Sequence, residues 1–88
     1  MSHVRLTIIG KPECHLCDVA GEVIDGVVRE LRSAASDRQV TVERLSILDD
    51  PELHERYWEQ IPVVLVDGRE HAHWHVDPAA LRAAILEG

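Results

Sequence analysis

With 88 residues and a formal net charge of −7 at pH 7, the chain reads as one small domain, 1–88, with material for a single core. Acidic and basic residues are interspersed without a basic run, which argues against the cationic face that nucleic-acid binding needs. The longest apolar run, Val63 to Val66, is far too short to cross a membrane. Aromatic residues are limited to Tyr57, Trp58 and Trp74, so Val, Leu, Ile and Ala must build the core. The start, Met1-Ser2-His3-Val4, enters a strand pattern directly, with no basic segment followed by an apolar leader. A cytoplasmic monomer without a membrane or nucleic-acid partner is expected.

Val4, Leu6 and Ile8 alternate with Arg5 and Thr7, predicting a strand over about 3–9. Gly10-Lys11-Pro12-Glu13 is a turn, with Pro12 fixing the loop. From 15 to about 35, Leu16, Ala20, Val23 and Val27 keep helical spacing, and Val19, Ile24, Val28 and Leu31 widen the stripe. Gly21 and Gly26 inside this helix each cost up to about 1 kcal/mol relative to Ala. Ser36-Asp37-Arg38 breaks the pattern. Val40 and Val42 then alternate on one phase while Leu45 and Ile47 follow on the other, predicting a strand over 39–46 with a bulge near Glu43-Arg44.

Asp49-Asp50-Pro51-Glu52 is a helix start, and a short helix to about residue 59 follows, with Leu53 and Tyr57 on one face. Ile61-Pro62-Val63-Val64-Leu65-Val66 reads as a buried strand, Asp67-Gly68 as a hairpin turn, and 69 to about 74 as the return strand. Asp77-Pro78 opens a last helix, with Leu81, Ile85 and Leu86 turned inward. The order β-α-β-α-β-β-α predicts an α/β fold: a four-stranded mixed sheet with helices on both faces.

The two cysteines stand three apart in Cys14-His15-Leu16-Cys17, where the first strand gives way to the first helix. A thiolate is the reactive form of cysteine, and unpaired N–H groups and the dipole at a helix N-terminus favour negative charge. Cys14 is therefore the candidate attacking thiol. Cys17, one turn on and expected to be more buried, is the candidate resolving thiol. Lys11 can add positive charge. A protonated His15 would stabilise the thiolate, whereas the helix N-terminus disfavours that cation, so the sequence leaves its sign open. His71, His73 and His75 alternate and would share one face of the return strand. With the cysteines they could form a Cys2His2 metal set, but the spacing is not that of a zinc finger. A solvated strand face is the preferred reading, and no metal is expected.

On these residues the chain resembles the thioredoxin fold, and within it the glutaredoxins, closest to a little-characterised bacterial glutaredoxin-like family. The resemblance rests on Lys11 with Cys14-His15-Leu16-Cys17-Asp18, on Asp49-Asp50-Pro51-Glu52-Leu53, on Tyr57, on Ile61-Pro62-Val63 and on Val66-Asp67-Gly68, and it spans nearly the whole chain. It implies a thiol–disulfide oxidoreductase with Cys14 and Cys17 as the catalytic pair, and a cis Ile61–Pro62 bond against the disulfide. The backbone of Ile61 would pair with the substrate, and Pro62 would help keep metal away. Without the resemblance, Pro62 is only the first residue of a strand.

The resemblance further implies a protein disulfide or a glutathione mixed disulfide as substrate. Its reductant would be glutathione or a thioredoxin-reductase-type flavoenzyme, with glutathione a candidate co-substrate and no bound cofactor. The chain departs from glutaredoxins where they carry a glycine pair before the last helix, since His73-Trp74-His75-Val76-Asp77 stands there. It also has His15-Leu16 in place of Pro-Tyr, and it lacks thioredoxin's Trp before the first cysteine, where Glu13 stands. A non-catalytic binding or redox-sensing module, contacting partners through Trp58 and Trp74, and a Cys/His metal-binding protein are the competing readings.

Overall fold

The computed structural model describes residues 2–33 and 38–87. Its elements run β1 (Ser2–Gly10), α1 (His15–Ser33), β2 (Arg38–Ser46), α2 (Pro51–Tyr57), β3 (Val63–Val66), β4 (Arg69–His73) and α3 (Pro78–Glu87). The expected order is the observed one. The expected end of the first helix near 35 and the break beginning at Ser36 fall outside the described residues.

The four strands form one sheet in the order β2-β1-β3-β4. β1 pairs in parallel with β2, the two being joined through α1, and antiparallel with β3, which pairs antiparallel with β4. Alternation along β1 sends Val4, Leu6 and Ile8 to one face, where Ala20, Ile24, Val27, Val28 and Leu31 of α1 and Leu81 and Ile85 of α3 close over them. Ile9 goes to the opposite face and packs with Ile47, Tyr57 and Val63. Both faces of the sheet are thus covered, α1 and α3 on one side and α2 on the other. An Arg82–Glu30 ion pair ties α3 to α1 across the first face.

This two-sided burial explains a feature that the sequence pattern misrepresents. The change of phase between Val42 and Leu45 is not a bulge, because β2 runs in unbroken parallel register with β1 from Ser2↔Arg38 to Gly10↔Ser46. Val40 and Val42 serve the α1 face, whereas Ile47 serves the α2 face. The irregularity lies instead in β4. Val64 pairs with Ala72 and Leu65 with Glu70, leaving His71 as the extra residue of a bulge.

Local signals set the remaining boundaries. Asp50 Oδ1 accepts from the N–H of Glu52 at 2.9 Å and caps α2, whose first residue is Pro51. Asp77 Oδ1 does the same for α3 through Ala79 N–H at 3.1 Å. Asp67 and Gly68 both have positive φ, 51° and 84°, the pairing of a primed two-residue hairpin turn. This turn is tied to β1, since Asp67 N–H donates to Arg5 O at 2.8 Å and Arg5 N–H donates to Asp67 Oδ1 at 2.9 Å. Helix α2 stops at Tyr57, short of 59, and Leu86, expected to face inward, is exposed.

Leu81 is fully buried between α1 and the sheet. Leu81→Ala is expected to lower the unfolding free energy by about 3 kcal/mol. The check is a urea titration whose midpoint falls while its slope stays constant.

Candidate functional site

The site is built on one row of the sheet. Ser46 of β2 pairs with Gly10 of β1. Ile9 pairs with Val63 and Val63 with His73, so the next row brings Gly10, Pro62 and Trp74 into line. Trp74 N–H closes that row on Pro62 O at 2.9 Å. The Ile61–Pro62 peptide bond is cis. Pro62 is buried, and Ile61 is half-buried against the α2-side cluster. Among the described residues, Ile61 forms no backbone hydrogen bond.

Over this row stands the start of α1. Cys14 precedes the first helical residue, and its carbonyl accepts the first helical bond, from Asp18 N–H at 3.0 Å. Cys14 is therefore the N-cap, and its Sγ accepts the N–H of Cys17 at 3.2 Å, where a capping oxygen would normally sit. Glu13, just before it, holds a left-handed backbone at φ 58°, which turns the chain from the loop into the helix. Cys14 and Cys17 are joined as a disulfide with their Cα atoms 5.2 Å apart, inside the range such a bond requires. Both are half-buried, so burial does not separate the two sulfurs as expected. What separates them is position: Cys14 occupies the cap and Cys17 lies a turn inside the helix.

Lys11 and His15 are exposed on the same loop and first turn. Lys11 lines a shallow pocket of about 280 Å³ with Cys17, Asp18, Arg44, Ser46 and Asp49. Arg44 is engaged further along α1, pairing with Asp25 at 3.2 Å. The fold thus gathers Lys11, Cys14, His15, Cys17 and Pro62 at one end of the sheet. The histidines behave differently. The bulge at His71 breaks the alternation, His75 lies beyond β4, and His71, His73 and His75 do not share a strand face. Among the described residues, no group of three His, Cys, Asp or Glu side chains could hold a metal ion.

Sequence reasoning passed over one residue of the site, Gly10, and named Trp74 as a partner contact without foreseeing its conformation. Gly10 looked like the beginning of a turn, yet a Cβ there would stand 2.8 Å from Cys17 Sγ and 3.2 Å from its Cβ. Only glycine lets the first turn of α1 settle this closely on β1. Its position, four residues before the first cysteine at the end of an alternating strand, was the available signal. Trp74 has φ 66°, a conformation the sequence gives no reason to expect of a tryptophan.

A disulfide between cysteines three residues apart, capping a helix over a mixed sheet whose same end carries a cis proline, has the architecture of the thioredoxin fold and supports a thiol-redox role in general terms. Comparison with known proteins narrows this. Residues 5–86 match the family model described as Glutaredoxin-like domain (DUF836), and the chain belongs to that family. It is 31% identical over 85 residues to uncharacterized proteins of Mycobacterium tuberculosis and Mycobacterium bovis, covering 97% of this chain and 86% of each relative. A solved structural-genomics target from X. campestris superposes with a TM-score of 0.71 at 30% identity, covering 94% of this chain and 97% of that one. Chloroplastic thioredoxin z superposes with a TM-score of 0.72 at 12% identity, over 97% of this chain and 77% of that one, a likeness of fold. The oxidized mitochondrial thioredoxin 3 of Saccharomyces cerevisiae gives 0.64 at 13% identity, over 97% and 78%.

Gly10→Ala is expected to disfavour the disulfide more than the dithiol, because a reduced Cys17 can rotate its sulfur away from the new methyl group. The disulfide–dithiol equilibrium should shift roughly tenfold toward the dithiol, a modest overpacking effect. Titration in a thiol redox buffer, with the two forms separated by mass after alkylation, measures it.

Proposed function

We propose that the protein is a dithiol thiol–disulfide oxidoreductase that reduces protein disulfides or glutathione mixed disulfides. The observation that carries this reading is the placement of Cys14 Sγ as the acceptor at the N-terminus of α1. A thiolate at that position meets backbone N–H groups and the positive end of the helix dipole, and Lys11 on the same loop adds positive charge.

In the reductive direction, the Cys14 thiolate attacks one sulfur of the substrate disulfide. A Cys14–substrate disulfide forms, the substrate S–S bond breaks, and the departing thiolate takes a proton from water. The Cys17 thiolate then attacks Cys14 Sγ, forming the Cys14–Cys17 disulfide and releasing the second substrate thiol. Two electrons pass from the cysteine pair to the substrate. An external dithiol enzyme or two molecules of glutathione return them. The backbone of Ile61, one residue beyond the row of Gly10 and Pro62 and without a backbone hydrogen bond among the described residues, is the edge on which an extended substrate would pair. His15, the first residue of α1 and exposed, is placed to tune the cap electrostatically.

Cys14→Ser is expected to abolish turnover, and Cys17→Ser to accumulate a mixed disulfide with substrate, read by intact mass. At mildly acidic pH, Cys14 should alkylate with iodoacetamide roughly tenfold faster than an unperturbed thiol. Turnover by Cys14→Ser equal to that of the native chain would overturn the assignment. Alkylation at the ordinary rate would instead favour a passive binding module.

A further inference from the structure

Trp74 is an anomaly in three respects. It holds a left-handed backbone at φ 66°, unfavourable for a bulky side chain. It is pinned twice to the segment that presents the cis bond, through its N–H to Pro62 O at 2.9 Å and through indole Nε1–H to Glu59 O at 3.0 Å. Despite both bonds, it remains 50% exposed. The indole is thus held in place by its own hydrogen bond while half of the residue faces solvent. The bond to Pro62 puts its backbone two strand spacings, roughly 10 Å, from Gly10, at the same end of the sheet as the disulfide.

The surroundings indicate what this indole would meet. Leu16, between the cysteines, is 40% exposed, and Leu48, two residues beyond Ser46 of the same row, is 66% exposed. With Trp74 they are exposed apolar side chains spread across the disulfide end of the sheet, from the β2 edge to the β4 edge. The ionic groups there are mainly acidic: Glu13, Asp18 and Asp49 are exposed around Lys11, on a chain of net charge −7. Glutathione disulfide is small, polar and anionic, and this field opposes its approach while favouring neutral or basic partners.

We propose that Trp74 determines specificity: its indole walls a subsite beside Ile61-Pro62 that takes an apolar side chain of a neutral or basic polypeptide disulfide in preference to glutathione disulfide. The inference rests on the reading of Cys14 and Cys17 as the reactive pair.

The test uses the reduced full chain and three oxidants: a Lys- and Leu-flanked peptide disulfide, glutathione disulfide, and neutral hydroxyethyl disulfide as a control. Rates of Cys14–Cys17 disulfide formation are followed by mass. Trp74→Gly suits the positive φ and so relieves backbone strain instead of adding it. It should slow the peptide reaction roughly tenfold, an effect the size of one lost aromatic contact, while leaving the control within about twofold. Trp74→Phe should keep most of the peptide rate. An unchanged ratio of peptide to glutathione rates in Trp74→Gly, or an equal loss on all three oxidants, would overturn the role of Trp74. Failure of every oxidant to convert the native chain would instead overturn the redox reading beneath it.

Discussion

Cys17 Sγ lies against the backbone of Gly10 so closely that no side chain fits between them, and much of the remaining geometry depends on this contact. It brings the first turn of α1 down onto the end of β1, which puts the helix N-terminus directly over the row formed by Ser46, Gly10, Pro62 and Trp74. Moving the helix by one turn would separate the capping sulfur from the cis peptide bond. Bringing it nearer is prevented by the strand itself. The apolar stripe of α1 then has only one way to lie, over Val4, Leu6 and Ile8, and α3 fills the space left beside it.

A second contact, from Cys17 N–H to Cys14 Sγ, links stability to chemistry. A helix cap is ordinarily an oxygen whose role is to satisfy an orphan N–H group. Here sulfur does it, so the group that closes the helix is also the group with a redox state. The N–H that meets this sulfur is one the helix had to satisfy in any case.

Most of the architecture was legible in the sequence because it rests on strong local signals. Alternation in β1, the helical stripe of α1, the proline and aspartate at the start of α2 and the Asp-Gly turn each fix an element through a short-range cause. The misreadings share a different character. The phase change in β2 looked like a bulge because periodicity records which side is apolar but not that both sides of this sheet are covered. The three histidines looked coplanar because alternation assumes regular pairing, and the extra residue at His71 arises from the register of two strands. Leu86 is apolar yet faces away, since a helix as short as α3 needs only Leu81 and Ile85 to fill its side of the core. At the site, the cysteine pair and Pro62 were readable as a motif. Gly10 and Trp74 were not, because one matters for the space it leaves and the other for a backbone conformation that its residue type disfavours.

The tie between Arg5 and Asp67 has a consequence for how the molecule opens. β1 is paired from Ser2 to Gly10 with β2 on one side and from Leu6 to Ile9 with β3 on the other, and the hairpin turn is fastened to it at Arg5. Amide protons of Leu6 to Ile9, flanked by strands on both sides, should therefore exchange through the global unfolding reaction, while the loop at 11–13 exchanges through local openings. The two sulfurs therefore sit at a mechanical boundary, between a loop that opens locally and the strand that is the last part of the protein to let go.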